Sequence, residues 1–380
     1  MGNKNIKTIE IHILRNLPPH CANRDESGTP KTCTINNGLR SRLSSQYLKH
    51  GYRIDPAFRE ALGEEQFGFR SKLFPREACN ELAKRGVSKE VCDILMPLLS
   101  GLGTASMSEN KIPDETALAI FYDAHDMNAI VSAIEDFIKD MSIADLKKVK
   151  GNDLQNALIK AHVNQHIKTF DVALFGRMVT SPLFDNVESA LSVSHAVSTH
   201  NVALDTDFWT QVDDVEDQKG GAANMGDTSF VSACYYYSAI INLDILRNNL
   251  SGVENQDEII RDGISAFIRT MIYAPVRGNQ TAFSSSTFPA AVLVNLKDNC
   301  NNYQLSNAFE NPVSRYDGYT ITENSIKRLV EENDILRTRA EIPVEKCFFF
   351  TAKPSEFKPK TDFVDCNSLT QLLDGLKDSL

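Results

Sequence analysis

The chain has 380 residues, 42% apolar and 24% charged, with 40 Lys+Arg against 50 Asp+Glu for a net charge of −10. This is ordinary globular composition, so disordered, collagenous and low-complexity classes are excluded, and the length suggests two or three structural units. The negative sum speaks at first sight against a nucleic-acid binder because it repels phosphate, although local charge decides binding.

Residues 7–14 alternate, with Ile9, Ile11 and Ile13 on one face, and predict a strand that ends at Asn16-Leu17-Pro18-Pro19. A polar, basic loop follows from His20 to about Ser41, with turn-prone Asn36-Asn37-Gly38. Residues 43–53 read as a helix with Ser44 or Ser45 as N-cap. Residues 57–165 carry helical periodicity. Met127, Ile130, Val131, Ile134, Phe137 and Ile138 mark one buried face, and Leu154, Ala157, Leu158 and Ala161 another. Strand character returns at 171–180. Residues 190–200 then lead into 205–217, which holds six acids and no Lys or Arg and is closed by a Gly-rich stretch at 220–226. Residues 230–243 predict a long strand, Gln256–Tyr273 an amphipathic helix, 290–296 and 346–352 further strands, with a helix at about 323–337 between them. Without the inserts the order is β-α-β-β-α-β, the ferredoxin-like pattern shared by RNA-recognition domains and many enzymes. The fold class expected is therefore α+β.

No run of 18 apolar residues predicts a transmembrane helix, and the first residues lack the basic-then-apolar pattern of a signal peptide. Ile6 stands where a myristoylation motif beginning at Gly2 needs Ser or Thr. The eight cysteines form no C-x-x-C pair and read as reduced thiols of a cytoplasmic protein.

Four constellations could carry chemistry. Between Leu14 and Arg53 stand seven positives (Arg15, Arg24, Lys31, Arg40, Arg42, Lys49 and Arg53) and two acids, Asp25 and Glu26. Ser44, Ser45 and Gln46 lie among them as neutral donors, beside the N–H groups of a helix start, and Lys49 and Arg53 share one helical face. Point charges in a row suit a phosphodiester backbone; a solvated charged face with an ordinary N-cap is the alternative. Phe208 and Trp209, the only tryptophan, would either stack on bases or anchor their acidic loop to the core. His162 and His166 lie i, i+4, and His195 and His200 five apart, without the Glu of a zincin helix, so no metal is expected. Asp25-Glu26 beside Arg24 would either hold Mg²⁺ for RNA cleavage or pair with the neighbouring Arg. No P-loop, G-x-S-x-G or G-x-G-x-x-G string appears, and no cofactor is expected.

Several motifs in one order resemble a known family: N-R-D-E at 23–26, Lys31, R-S-R-L-S-S-Q-Y-L-K at 40–49, F-G-R-M-V-T-S at 175–181, S-V-S-H-A-V-S-T-H at 192–200 and D-F-W-T-Q-V-D-D at 207–214. They are similar to the CasC proteins, the Cas-seven group of RAMP proteins that form the backbone of type I-E CRISPR Cascade complexes. The likeness runs from residue 9 to about 297 and is weak thereafter. It implies an RRM-like palm (1–56, 166–198 and 229–380, the last with the C-terminal region), a large helical insertion as fingers (57–165) and a protruding hairpin-like thumb (199–228). It implies a non-catalytic subunit in the cytoplasm whose copies stack head-to-tail along a CRISPR guide RNA, with other Cascade subunits. The thumbs would displace guide nucleotides at intervals, leaving the guide open for a target DNA strand. Position by position, Arg24, Lys31, Arg40, Arg42, Ser44, Gln46 and Lys49 would contact the guide backbone, with Ser45, Arg53 and Arg177 alongside. Met178, Phe208 and Trp209 would pack around displaced or flanking bases. Gly38 and Leu39 stand where the family has a basic pair, and His50 and Tyr237 where Arg is common. Two other readings remain: a metal-dependent ribonuclease of the RAMP class using Asp25, and an unrelated α+β enzyme for a small anionic metabolite.

Overall fold

A computed structural model of the chain describes residues 6–103, 112–161, 169–212, 222–352 and 356–380. Its organising element is β1 (Thr8–His20), whose predicted alternation is realised with both faces covered. Ile9, Ile11 and Ile13 are fully buried on one side, and Glu10, His12 and Leu14 on the other are buried as well. The remaining strands are β2 (Thr32–Ile35), β3 (Gly38–Leu43), β4 (Phe69–Ser71), β5 (Ile120–Tyr122), β6 (Leu191–Val193), β7 (Ala196–Ser198), β8 (Asp205–Val212), β9 (Ala222–Asn242), β10 (Ala291–Lys297), β11 (Lys346–Thr351) and β12 (Val364–Cys366). Ten of them share one sheet along the path β12-β11-β10-β1-β9-β7-β3-β2, with β6 and β8 also pairing to β9. The central run β10-β1-β9-β7 is antiparallel throughout and has the strand order of the expected split βαβ unit. The helices after its first and third strands are Ser45–Arg53 and Gln256–Tyr273.

Three local expectations are corrected. The strand predicted at 171–180 is the helix Phe170–Phe175 followed by an isolated bridge at Arg177; β7 supplies the strand needed there. Residues 170–174 are buried on every side, and a short apolar run buried all round has no periodicity to separate helix from strand. Second, β1 does not stop at Pro18-Pro19. It shifts register between Leu17 and His20 and pairs again with β9, the irregularity absorbing two residues that lack an N–H. Third, the basic loop contains the β2–β3 hairpin, turned by Asn36 and Asn37, whose φ values of 47° and 61° suit a tight two-residue connection.

The chain divides into two compact units, one of residues 1–58, 192–243 and 264–380, the other of residues 59–191 and 244–263. In the first, the β1 face carrying Leu14 is covered by the helix Ile321–Thr338 and the turn Ser306–Phe309, through Leu305, Phe309, Ile326, Leu329 and Val330 against Tyr236, Leu293 and Phe349. Glu10 accepts from Lys297 Nζ at 2.6 Å and from Tyr303 N at 2.9 Å on the same face. Burial alone would raise the Glu10 carboxyl, but His12 and Lys297 hold it below its ordinary value.

In the second unit, the helices Phe74–Lys84, Lys89–Ser100, Ala124–Ile138 and Gly151–Lys160 bury Leu82, Leu95, Ile130, Val131, Ile134, Leu154 and Leu158 together. Among the described residues, no helix is long and apolar enough to cross a membrane.

Candidate nucleic-acid interface

The basic segment is assembled by short-range hydrogen bonds. Asn23 O accepts from Lys31 N at 2.9 Å and Asn23 Oδ1 from Ser44 N at 3.0 Å, while Lys31 O accepts from Arg42 N at 2.9 Å. One asparagine therefore ties the loop before β2 to the start of the helix Ser45–Arg53. Ser44 caps that helix as expected, its hydroxyl accepting from Tyr47 N at 3.3 Å. Arg42 Nη1 lies 3.2 Å from His195 Nδ1. Burial lowers the His195 pKa, and the charges of Arg42 and Lys31 lower it further. Two cations thus converge on a neutral imidazole next to a helix N-terminus, an arrangement that favours an anion. Arg24 and Gln46 are exposed, and Lys31, Arg42, Ser45, Lys49 and Arg53 half-buried. Partial burial lowers the Lys49 pKa.

Among the seven positives, Arg15 and Arg40 are buried and spent inside the fold. Arg40 is fully buried; Nη1 donates to Ser198 O at 2.9 Å, and Nη2 to Phe309 O at 3.1 Å and Glu310 O at 3.3 Å. It joins β3 to the C-terminal segment and presents no guanidinium to a ligand at the surface. Arg15 donates to Met271 O, Ile272 O and Ala274 O at the end of the helix Gln256–Tyr273, where the dipole favours a cation. Strand parity signals this for Arg15, which shares a face with Ile9, Ile11 and Ile13. No such signal exists for Arg40, because its neighbour Leu39 is the exposed one, at 42%.

Asp25 is exposed and is engaged by its own loop, not by Arg24. Its Oδ1 accepts from Ser27 N, Ser27 Oγ and Thr29 N, and its Oδ2 from Thr29 Oγ1, at 2.7–3.1 Å. These bonds hold its carboxyl down at about 2. No group of three or more His, Cys, Asp or Glu side chains among the described residues has the geometry of a metal site. His162 and His166 lie outside the described residues.

The acidic insert forms a ribbon. β8 pairs with the first half of β9, Asp205 opposite Phe230 and Trp209 opposite Gly226, and all eight β8 residues are exposed. Phe208 and Trp209 point to opposite faces, 65% and 41% exposed. The indole lies over Gly226, where an added Cβ would come within 2.7 Å of Trp209 Cζ2. Trp209 is thus braced by its own hairpin, and neither expected role excludes the other. Tyr237, which replaces a common Arg, is buried on β9.

In the second unit, Arg177 is also buried. Its Nη1 donates to Asp126 Oδ2 at 2.8 Å and Phe121 O at 3.3 Å, and its Nε to Asp185 O at 3.0 Å. Its expected contact with RNA is therefore corrected to a contact inside the unit. Met178, the next residue, is 96% exposed.

RNA-recognition domains stack bases on an open sheet face. Here the Leu14 face of the sheet is covered by residues 305–330, so that platform is closed. A family model for CT1975-like proteins matches residues 9–373. The chain belongs to that family. The fold of this CT1975-like chain is similar to a chain of a "CRISPR RNA-guided surveillance complex, pre-nicking", with a TM-score of 0.80 and 22% identity over 98% of this chain and 99% of that one. A chain of a "CRISPR RNA-guided surveillance complex" matches with a TM-score of 0.60 and 19% identity over the same shares. No curated protein matches the sequence.

Proposed function

We propose that this CT1975-like chain is a non-catalytic, CRISPR-RNA-binding backbone subunit of a type I-E Cascade complex, working in the cytoplasm. Copies polymerise head-to-tail along the guide beside other Cascade subunits and leave the guide open to pair with target DNA. The observation that carries this reading is the fold likeness, at a TM-score of 0.80, across nearly the whole of both chains. In this reading the palm comprises residues 1–56, 166–198 and 229–380, the fingers 57–165 and the thumb 199–228. Arg24, Lys31, Arg42, Lys49 and Arg53, with Ser45 and Gln46, face the guide backbone; Met178, Phe208 and Trp209 face bases; Ser44, expected among the backbone contacts, is buried and serves instead as the helix cap. The ribbon suits displacement of a nucleotide, because its acids (Asp205, Asp207 and Asp227) repel phosphate while its aromatics offer stacking surface. The occupied Asp25 carboxylate gives no support to the ribonuclease alternative.

The purified chain is expected to bind single-stranded RNA without sequence preference, with log affinity falling linearly in log salt. Filter binding at several salt concentrations tests this. Affinity indifferent to salt, or strong discrimination between unrelated RNAs, would sink the proposal.

A further inference from the structure

Met178 combines two properties that seldom coincide. Its side chain is 96% exposed, yet the backbone on both sides is pinned. Arg177 exchanges main-chain hydrogen bonds with Val187, at 3.0 and 2.8 Å, and Val179 N donates to Asn186 Oδ1 at 2.7 Å. Leu183 and Phe184, at the far side of the loop, are buried in the core of the second unit. Gly176 opens the loop at a φ of +80°, and a Cβ there would come within 2.9 Å of Val187 O and of the Ser189 backbone, so only glycine fits.

The strongest hold is the Arg177 guanidinium. It lies over the Phe184 ring and donates to two main-chain carbonyls and to Asp126. Asp126 is fixed in turn by a reciprocal capping box with Asp123 at the start of the helix Ala124–Ile138. The two side chains of this pair are only 2% and 8% exposed. A buried ion pair is a poor way to gain stability, since apolar residues of similar volume often serve as well, but it defines one geometry. We propose that Arg177 and Asp126 are positioning residues that hold the loop at 176–187 so that Met178 meets the face of a guide nucleobase. This rests on the RNA-binding reading above. An unbranched thioether contacts aromatic faces well, and a fixed backbone lowers the ordering cost of the contact.

The test uses the full chain bound to a guide-length RNA carrying 2-aminopurine at successive positions. Met178→Ala is expected to change the emission at a subset of positions. Asp126→Asn and Arg177→Lys should change the same subset, and Met178→Ala/Asp126→Asn should do no more than Met178→Ala alone. A merely structural pair would lower the melting temperature and leave the emission pattern intact. Arg177→Lys keeps the charge but not the fork of donors, so it serves if Asp126→Asn fails to fold. The inference is overturned if folded Asp126→Asn and Arg177→Lys keep the wild-type pattern, or if Met178→Ala changes no position while RNA is bound. Absence of RNA binding by the wild type would instead overturn the functional reading, and this inference with it.

Discussion

The segment at 15–53 and the ribbon at 205–230 belong to the same unit and are built in opposite ways. The first is basic and braced from within: Arg15 and Arg40 are consumed by main-chain carbonyls, Asn23 clamps loop to helix, and Lys31 and Arg42 ride on that scaffold. The second is acidic and exposed along all of β8, held by its pairing with β9 and by one indole lying over one glycine. A rigid charged margin suits a repeating phosphate backbone, and an uncovered ribbon suits insertion into a neighbour or a strand. Charges close together in the chain therefore do different work. Arg40 and Arg42 differ by two positions, yet one is interior and the other reaches the surface.

The most disruptive way to break this contrast is Arg40→Ala. It removes the guanidinium from the buried carbonyls of Ser198 and Phe309 and opens a cavity, and a loss of about 3–5 kcal/mol is expected in denaturant unfolding. Arg42→Ala should stay within about 0.5 kcal/mol of wild type. Equal losses would show that the two arginines are not distinguished as described.

The second unit allows a similar test. Burial raises the Asp126 carboxyl to about 6, against the pull of Arg177. The native state therefore holds a proton that the unfolded state releases, and stability falls as pH rises from about 4 to about 6. About 3 kcal/mol is at stake across that window. The difference between wild type and Asp126→Asn in pH-dependent unfolding isolates this slope, which the variant should lack.

Smaller effects belong to the exposed cations. Lys31→Ala and Arg42→Ala should each lower the salt slope of RNA binding by about one while weakening all sequences alike; loss confined to one sequence would contradict a backbone contact. Smallest in stability is Gly226→Ala. It should stay within about 0.5 kcal/mol of wild type yet shift the emission of Trp209, the only tryptophan, because the indole must move. Unchanged emission would refute the packing described for the ribbon.

Much of this was legible where one face of an element is buried and the other is not. The helix Gln256–Tyr273 appears with its predicted bounds because Ile260, Ile264, Phe267, Ile268 and Met271 repeat at helical spacing. The Ser44 cap was legible for the same kind of local reason. The helix Phe170–Phe175 was not, because burial on every side erases the period. The fates of Arg40 and Arg177 were not legible either. Their partners at Ser198, Phe309 and Asp126 are distant in the chain, and a positive residue beside a basic motif reads as a ligand contact until those partners are seen.

The covered sheet face has a further consequence. A domain that reads letters on its sheet splays unstacked bases across an open face and bonds to their edges there. With residues 305–330 closing that surface, the sheet has no open Leu14 face on which to lay a base. On the function proposed above, any preference among bases would have to arise at Met178 or on the ribbon and not on the sheet.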